Sequence, residues 1–312
     1  MLWRNNMRHS RRAIRKRRQH GKLIVGMVIV LLPLIAISAF LFSMSKKVEN
    51  SSTSSPVQSQ QEISTTTTAS SSSSVQPEVT WERQEQPVKF PILMYHAIHI
   101  MAPEEEANAN LIVAPTTFES HLKALQDAGY YTLSPEEAYK VLKENVLPAG
   151  KKVVWLTFDD SIWDFYSHAY PLLKQYKMKA TNNVITGFTE NGRAGHLTLE
   201  QMKEMRAAGL SFQAHTVSHP DLEYSSIETQ TDELTASKAY LDNQLNQETI
   251  ALAYPGGRYS ADTVALTEKA GYKLGVTTNY GLASASDGLL TLNRIRILPT
   301  TSAESLLAEI AQ

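Results

Sequence analysis

The sequence predicts an α/β protein whose body is a distorted (β/α) barrel of about seven strands, preceded by one N-terminal transmembrane helix. Three observations carry that expectation. Short β-rich runs alternate with helical patterns from residue 88 to the end. A stretch of 22 residues, Leu23–Met44, contains no charge. Between the two lies a Ser/Thr-rich segment almost free of apolar residues.

The N-terminal part is the simplest to justify. At about 1.5 Å per residue, Leu23–Met44 is long enough to span a hydrocarbon core of roughly 30 Å. Residues 1–22 hold nine Lys and Arg and no acid, which predicts a basic tail kept in the cytoplasm and a remainder that is exported. A cleaved signal peptide is the alternative, with small residues at Ala36-Ile37-Ser38-Ala39. Ser51–Val75 has 16 Ser or Thr in 25 residues, too little apolar surface to offset the entropy of ordering, so 45–87 reads as an extracellular stalk. The body is then 88–312.

The net charge of −1 conceals an asymmetry. Beyond residue 47 there are 19 basic against 31 acidic residues, which argues against nucleic acid as partner. With no cysteine in the chain, thiolate chemistry is excluded, and a metal site must use His, Asp or Glu.

Seven strands are expected at Ile92–Tyr95, Val153–Phe158, Ala180–Ile185, Leu210–Ala214, Ile250–Tyr254, Lys273–Thr277 and Thr291–Ile295. Helices are expected after Ser134-Pro135-Glu136-Glu137 and Thr198-Leu199-Glu200-Gln201, which have capping-box spacing. Thr117–Ala128 and Ser226–Leu245 read as two more. A doubly wound open sheet would produce a similar string.

Chemistry-bearing residues follow the strands. Val153–Phe158 runs into Asp159 and Asp160, which can share one site only if the strand ends there; otherwise one Asp caps the next helix. Leu210–Ala214 runs into His215-Thr216-Val217-Ser218-His219, two imidazoles spaced to chelate one ion or, alternatively, two unrelated histidines. Tyr254-Pro255-Gly256-Gly257-Arg258 follows a third strand as a turn whose glycines permit close backbone approach. His96 ends the first strand.

These residues resemble the polysaccharide deacetylases of carbohydrate esterase family 4, the NodB-homology domain. Thr157–Asp160 (TFDD) is similar to the family's first motif, His215–Pro220 (HTVSHP) to its second, and Ala253–Tyr259 (AYPGGRY) to its third. Together with the opening Pro91–His96 (PILMYH), they look closest to the poly-N-acetylglucosamine deacetylase branch. The resemblance implies a metal, zinc or another divalent ion such as Co2+, Ni2+ or Mn2+, held by Asp160, His215 and His219. It implies Asp159 as general base, with His96 as general acid. Tyr254, Pro255, Gly256, Arg258, Leu292 and Arg294 would form the substrate and oxyanion side. The substrate would be an N-acetylglucosamine-containing polysaccharide and the product acetate.

Some positions depart from the family. Ala253 stands where an Arg often orients the base, leaving Arg258, Arg294 or Arg296 to replace it. Leu292-Asn293-Arg294 stands where the family has Leu-x-His, and Arg is a poor proton donor. The alternative function is a glycan-binding module that kept the metal site and lost turnover. Trp163, Tyr166 and Tyr280 are candidates for stacking on sugars.

Overall fold

The computed structural model describes residues 79–311. Their centre is a closed barrel of seven parallel strands. In chain order these are β1 (Ile92–Tyr95), β2 (Lys152–Phe158), β3 (Thr181–Val184), β4 (Ser211–Ala214), β5 (Ala251–Ala253), β6 (Leu274–Tyr280) and β7 (Leu292–Arg296). Each pairs with the next, and β7 closes onto β1 with Ile295 opposite Leu93. Pairing β1 with β2 sets Ile92 opposite Trp155 and Tyr95 opposite Phe158. Closure settles the choice between barrel and open sheet. All seven expected strands are present within a few residues of their expected ends.

Period-2 alternation sorts the strand residues. Leu93, Tyr95, Leu156, Phe158, Phe212 and Ile295 face outward into a core shared with the surrounding helices. The surrounding helices include α1 (Pro115–Asp127), α2 (Pro135–Glu144), α3 (Leu199–Ala207), α4 (Ile227–Leu245), α5 (Ala261–Lys269) and α6 (Ala303–Ile310), of which α2 instead packs Ala138, Val141 and Leu142 into the second cluster described below. Ser134 caps α2 by accepting from the Glu137 N–H, and Thr198 caps α3 in the same way. Ile92, Trp155, Ala251, Leu274 and Leu292 belong to a second buried cluster at the lower part of the barrel.

The folded body begins earlier than residue 88. Trp81–Arg83 pairs antiparallel with Val146–Pro148, and the Asn145 side chain accepts from the Val88 N–H at 2.8 Å. Residues 81–87 therefore belong to the domain, not to a stalk, because their backbone groups are satisfied by it. No helix among the described residues is long and apolar enough to cross a membrane. The segment 23–44, the basic tail and the Ser/Thr-rich stretch 51–75 lie outside the described residues.

Candidate active site at the C-terminal end of the barrel

Strand β2 ends at Phe158, and its inward residues Trp155 and Thr157 lead to Asp159 at the mouth of the barrel. Asp159 is 3% exposed. It is gripped by Arg294, whose Nη1 donates to Oδ1 at 3.0 Å and Nη2 to Oδ2 at 2.7 Å. Asn183 Nδ2 also donates to Oδ1 at 2.8 Å. Arg294 is itself buried, with Nε donating to the Thr277 carbonyl and Nη1 to Thr157 Oγ1. Burial alone would raise the Asp159 pKa, but the guanidinium, aided by its hydrogen bonds, holds it far below the usual carboxylate range.

The chain turns sharply after Asp159. Asp160 and Ser161 have φ of 75° and 51°, a left-handed conformation uncommon for residues with a Cβ. That turn brings both carboxylates to one site. The Asp160 carbonyl is also met by His196 Nδ1 at 3.1 Å.

Strand β4 delivers His215 and His219. His215 Nδ1–H donates to the Ala253 carbonyl at 2.7 Å, which turns Nε2 towards Asp160 Oδ1 at 3.3 Å. His219 Nε2 lies 3.6 Å from the same oxygen. One donor atom from each of the three residues falls within 4.8 Å of the others. Two imidazoles with one carboxylate, one imidazole already oriented by a backbone carbonyl, fit a divalent cation with positions left open. The loop between the histidines is held by Glu233 of α4. Its Oε2 accepts from the Val217 and Ser218 N–H groups at 2.7 and 2.9 Å, and its Oε1 accepts from Ser218 Oγ.

His96 follows β1, and burial keeps its pKa below the ordinary histidine value against the raising influence of Asp159 and Asp160. Gly256 and Gly257 lie in a tight turn at φ of 59° and 71°. A Cβ on Gly257 would sit 2.1 Å from Thr278 Oγ1, so only glycine fits there. Arg258 Nε bonds Asp221 Oδ2 at 2.9 Å and ties this turn to the histidine loop.

Three expected substrate contacts are placed elsewhere. Arg294 is sealed behind Asp159 and positions it, so of the three arginines considered it is the one that replaces the missing motif arginine. Tyr254 is fully buried in the outer core, with its ring tilted against that of Tyr259 at a centroid distance of 5.1 Å, because its alternation along the strand turns it away from the axis. Leu292 lies two residues below Arg294 in the lower core. Sequence reasoning also missed Asn183, Glu233 and His196. Only Asn183 left a trace, as a polar residue inside a buried strand.

Comparisons with known proteins identify the family. Residues 146–275 match the family model for polysaccharide deacetylase. The Bacillus subtilis protein YxkH, described as a polysaccharide deacetylase, is 42% identical over 230 residues, covering 74% of this chain and 79% of its own. This chain belongs to the polysaccharide deacetylase family. The structure of the Streptococcus pyogenes deacetylase PplD in complex with acetate is 63% identical to this chain, with a TM-score of 0.70, over 72% of this chain and 99% of that one. Poly-β-1,6-N-acetyl-D-glucosamine N-deacetylase of Staphylococcus aureus is 35% identical over 144 residues, which cover 44% of this chain and about half of that relative's length (47%). The IcaB structure from Ammonifex degensii, at 23% identity and TM-score 0.63, shares the fold.

Proposed function

We propose that this deacetylase removes acetyl groups from N-acetylglucosamine units of a cell-surface polysaccharide, with a divalent cation, zinc in the first instance, held by Asp160, His215 and His219. The convergence of those three donor atoms beside the Arg294-held carboxylate of Asp159 is the observation that carries the reading. A cation there would polarise the acetamide carbonyl and make a water acidic near pH 7. Asp159, which the Arg294 guanidinium favours in its ionised form, would receive the proton of the attacking water. The glycine turn at 256–257 lets a backbone N–H approach the developing oxyanion. His96, at the same mouth, is the group to protonate the leaving amine. An N-terminal anchor would place this chemistry outside the membrane.

The test is acetate release from β-1,4 and β-1,6 N-acetylglucosamine oligomers by the full-length protein, as purified, after chelation and after zinc is restored. Asp159→Asn leaves Arg294 buried without its counter-charge and so lowers stability; assayed below its melting temperature, it should lower turnover by about 10²–10⁴-fold while zinc stoichiometry and oligomer binding persist. A parent protein that binds zinc and oligomer but releases no acetate would establish the glycan-binding reading instead.

A further inference from the structure

The exposed large apolar side chains among the described residues all lie at one end of the barrel. Ile100 and Met101 follow β1, Trp163 follows β2, Tyr224 and Ile227 follow β4, Tyr280 ends β6 and Leu298 follows β7. This is the end that carries Asp160, His215 and His219. Scattered exposed apolar residues need no explanation, but their restriction to the segments that follow the C-terminal ends of the strands does.

Trp163 is distinctive within this set. It is three residues past Asp160 and 44% exposed. Its ring lies nearly parallel to that of His99, with centroids 6.1 Å apart at 21°. His99 is fixed in turn, with Nδ1 2.6 Å from Asp164 Oδ2 and Nε2 3.1 Å from Glu105 Oε2. Asp164 is anchored by the Ile98 N–H at 2.8 Å. The Trp163 N–H donates to the Gly195 carbonyl at 3.1 Å, and His168 packs against the indole at 5.5 Å. The indole is therefore open to solvent yet held by its backbone and by two neighbouring rings. An aromatic surface already fixed in place loses little entropy on binding. The loops at this end expose both signs of charge, Glu104, Glu106 and Glu223 with Arg193, Arg258 and Arg296, and so form no basic patch of the kind that holds an anionic lipid surface.

We propose that Trp163, backed by His99, is a sugar-stacking residue that binds a unit of the substrate chain neighbouring the one being deacetylated, and so makes the enzyme select for longer chains. The proposal rests on the deacetylase reading above and extends it beyond the reacting sugar. An indole face matches the apolar C–H face of a pyranose ring.

The experiment compares N-acetylglucosamine pentamer with dimer, using the full-length zinc-loaded protein. The parent should favour the pentamer in kcat/KM. Trp163→Ala should bring that ratio close to one, through a rise in pentamer KM of about tenfold, equal to ~1.4 kcal/mol, and Trp163→Phe should restore most of it. The pentamer should quench fluorescence in the parent and not in Trp163→Phe. A parent that binds pentamer with this quench but releases no acetate would keep the stacking role and sink the deacetylase reading. An unchanged ratio, an equal loss on both substrates, or a quench that survives in Trp163→Phe would overturn the stacking role. Binding to phosphatidylglycerol vesicles that Trp163→Ala abolishes would assign the surface to a membrane instead.

Discussion

Asp159 and Arg294 form a buried bidentate pair in which each group makes the other tolerable. Removing one partner leaves an uncompensated buried charge, which costs far more than the net contribution of the pair. Arg294→Met should therefore destabilise the fold by about 3–5 kcal/mol in urea titration, and adding Asp159→Asn should recover much of the loss. The pair also sets a direction in pH. Because the folded pKa of Asp159 lies below its unfolded value, its contribution is fully present above about pH 4–5 and fades as pH falls. The Asp159→Asn protein should show a flatter stability profile on the acid side. The carboxylate was legible in the sequence from its place after an apolar strand. Its partner was legible only as one of three arginines, since no local pattern reveals which strand lies across a closed barrel 135 residues away.

At the scale of elements, the histidine loop depends on a helix that no motif marks. Glu233 satisfies two backbone N–H groups and a hydroxyl between the two candidate ligands. Neutralising it weakens every one of those bonds together. Glu233→Gln should lower zinc affinity by roughly 10–100-fold in chelator competition, the range for residues that orient ligands, with little change in far-UV circular dichroism. Strands and capped helices were readable because alternation and caps are local. Glu233 was not, because it reads as one more polar residue on a helix expected to face solvent. Two further helices, Ala261–Lys269 and Ala303–Ile310, carry serine caps at Ser260 and Ser302 in short stretches where the apolar period is brief.

On the scale of the whole molecule, the apolar core lies in the strands and helices beneath the turns that carry Asp160, His215 and His219, so the fold and the candidate metal site are separable. Chelation should stop acetate release without unfolding the protein. Zinc at 100 times its dissociation constant should add about 2.7 kcal/mol of stability, read as a rise in melting temperature that chelator reverses. The barrel was foreseeable from strand count and alternation, whereas its closure, with β7 on β1, was not, because pairing between the first and last strands is a tertiary event. The domain's start was misplaced for a similar reason. Trp81–Arg83 is too short to declare itself, and only Val146–Pro148 gives it a partner.

Four of the residues with left-handed backbones are Asp160, Ser161, Thr216 and His219, and such a conformation costs of order 1–3 kcal/mol for a side-chain-bearing residue. The mouth of the barrel is thus a sprung clasp mounted on a rigid cylinder. The other three described non-glycine residues with this conformation, Asn145, Lys177 and Asn246, follow helix ends, so within the barrel mouth the tension gathers in the two turns that carry the candidate ligands, and the strands beneath do not share it. Substitutions that relax those turns would give a calmer, longer-lived protein with a slacker grip, so that durability and catalytic sharpness pull against each other within a handful of residues while the rest of the fold is spared the conflict.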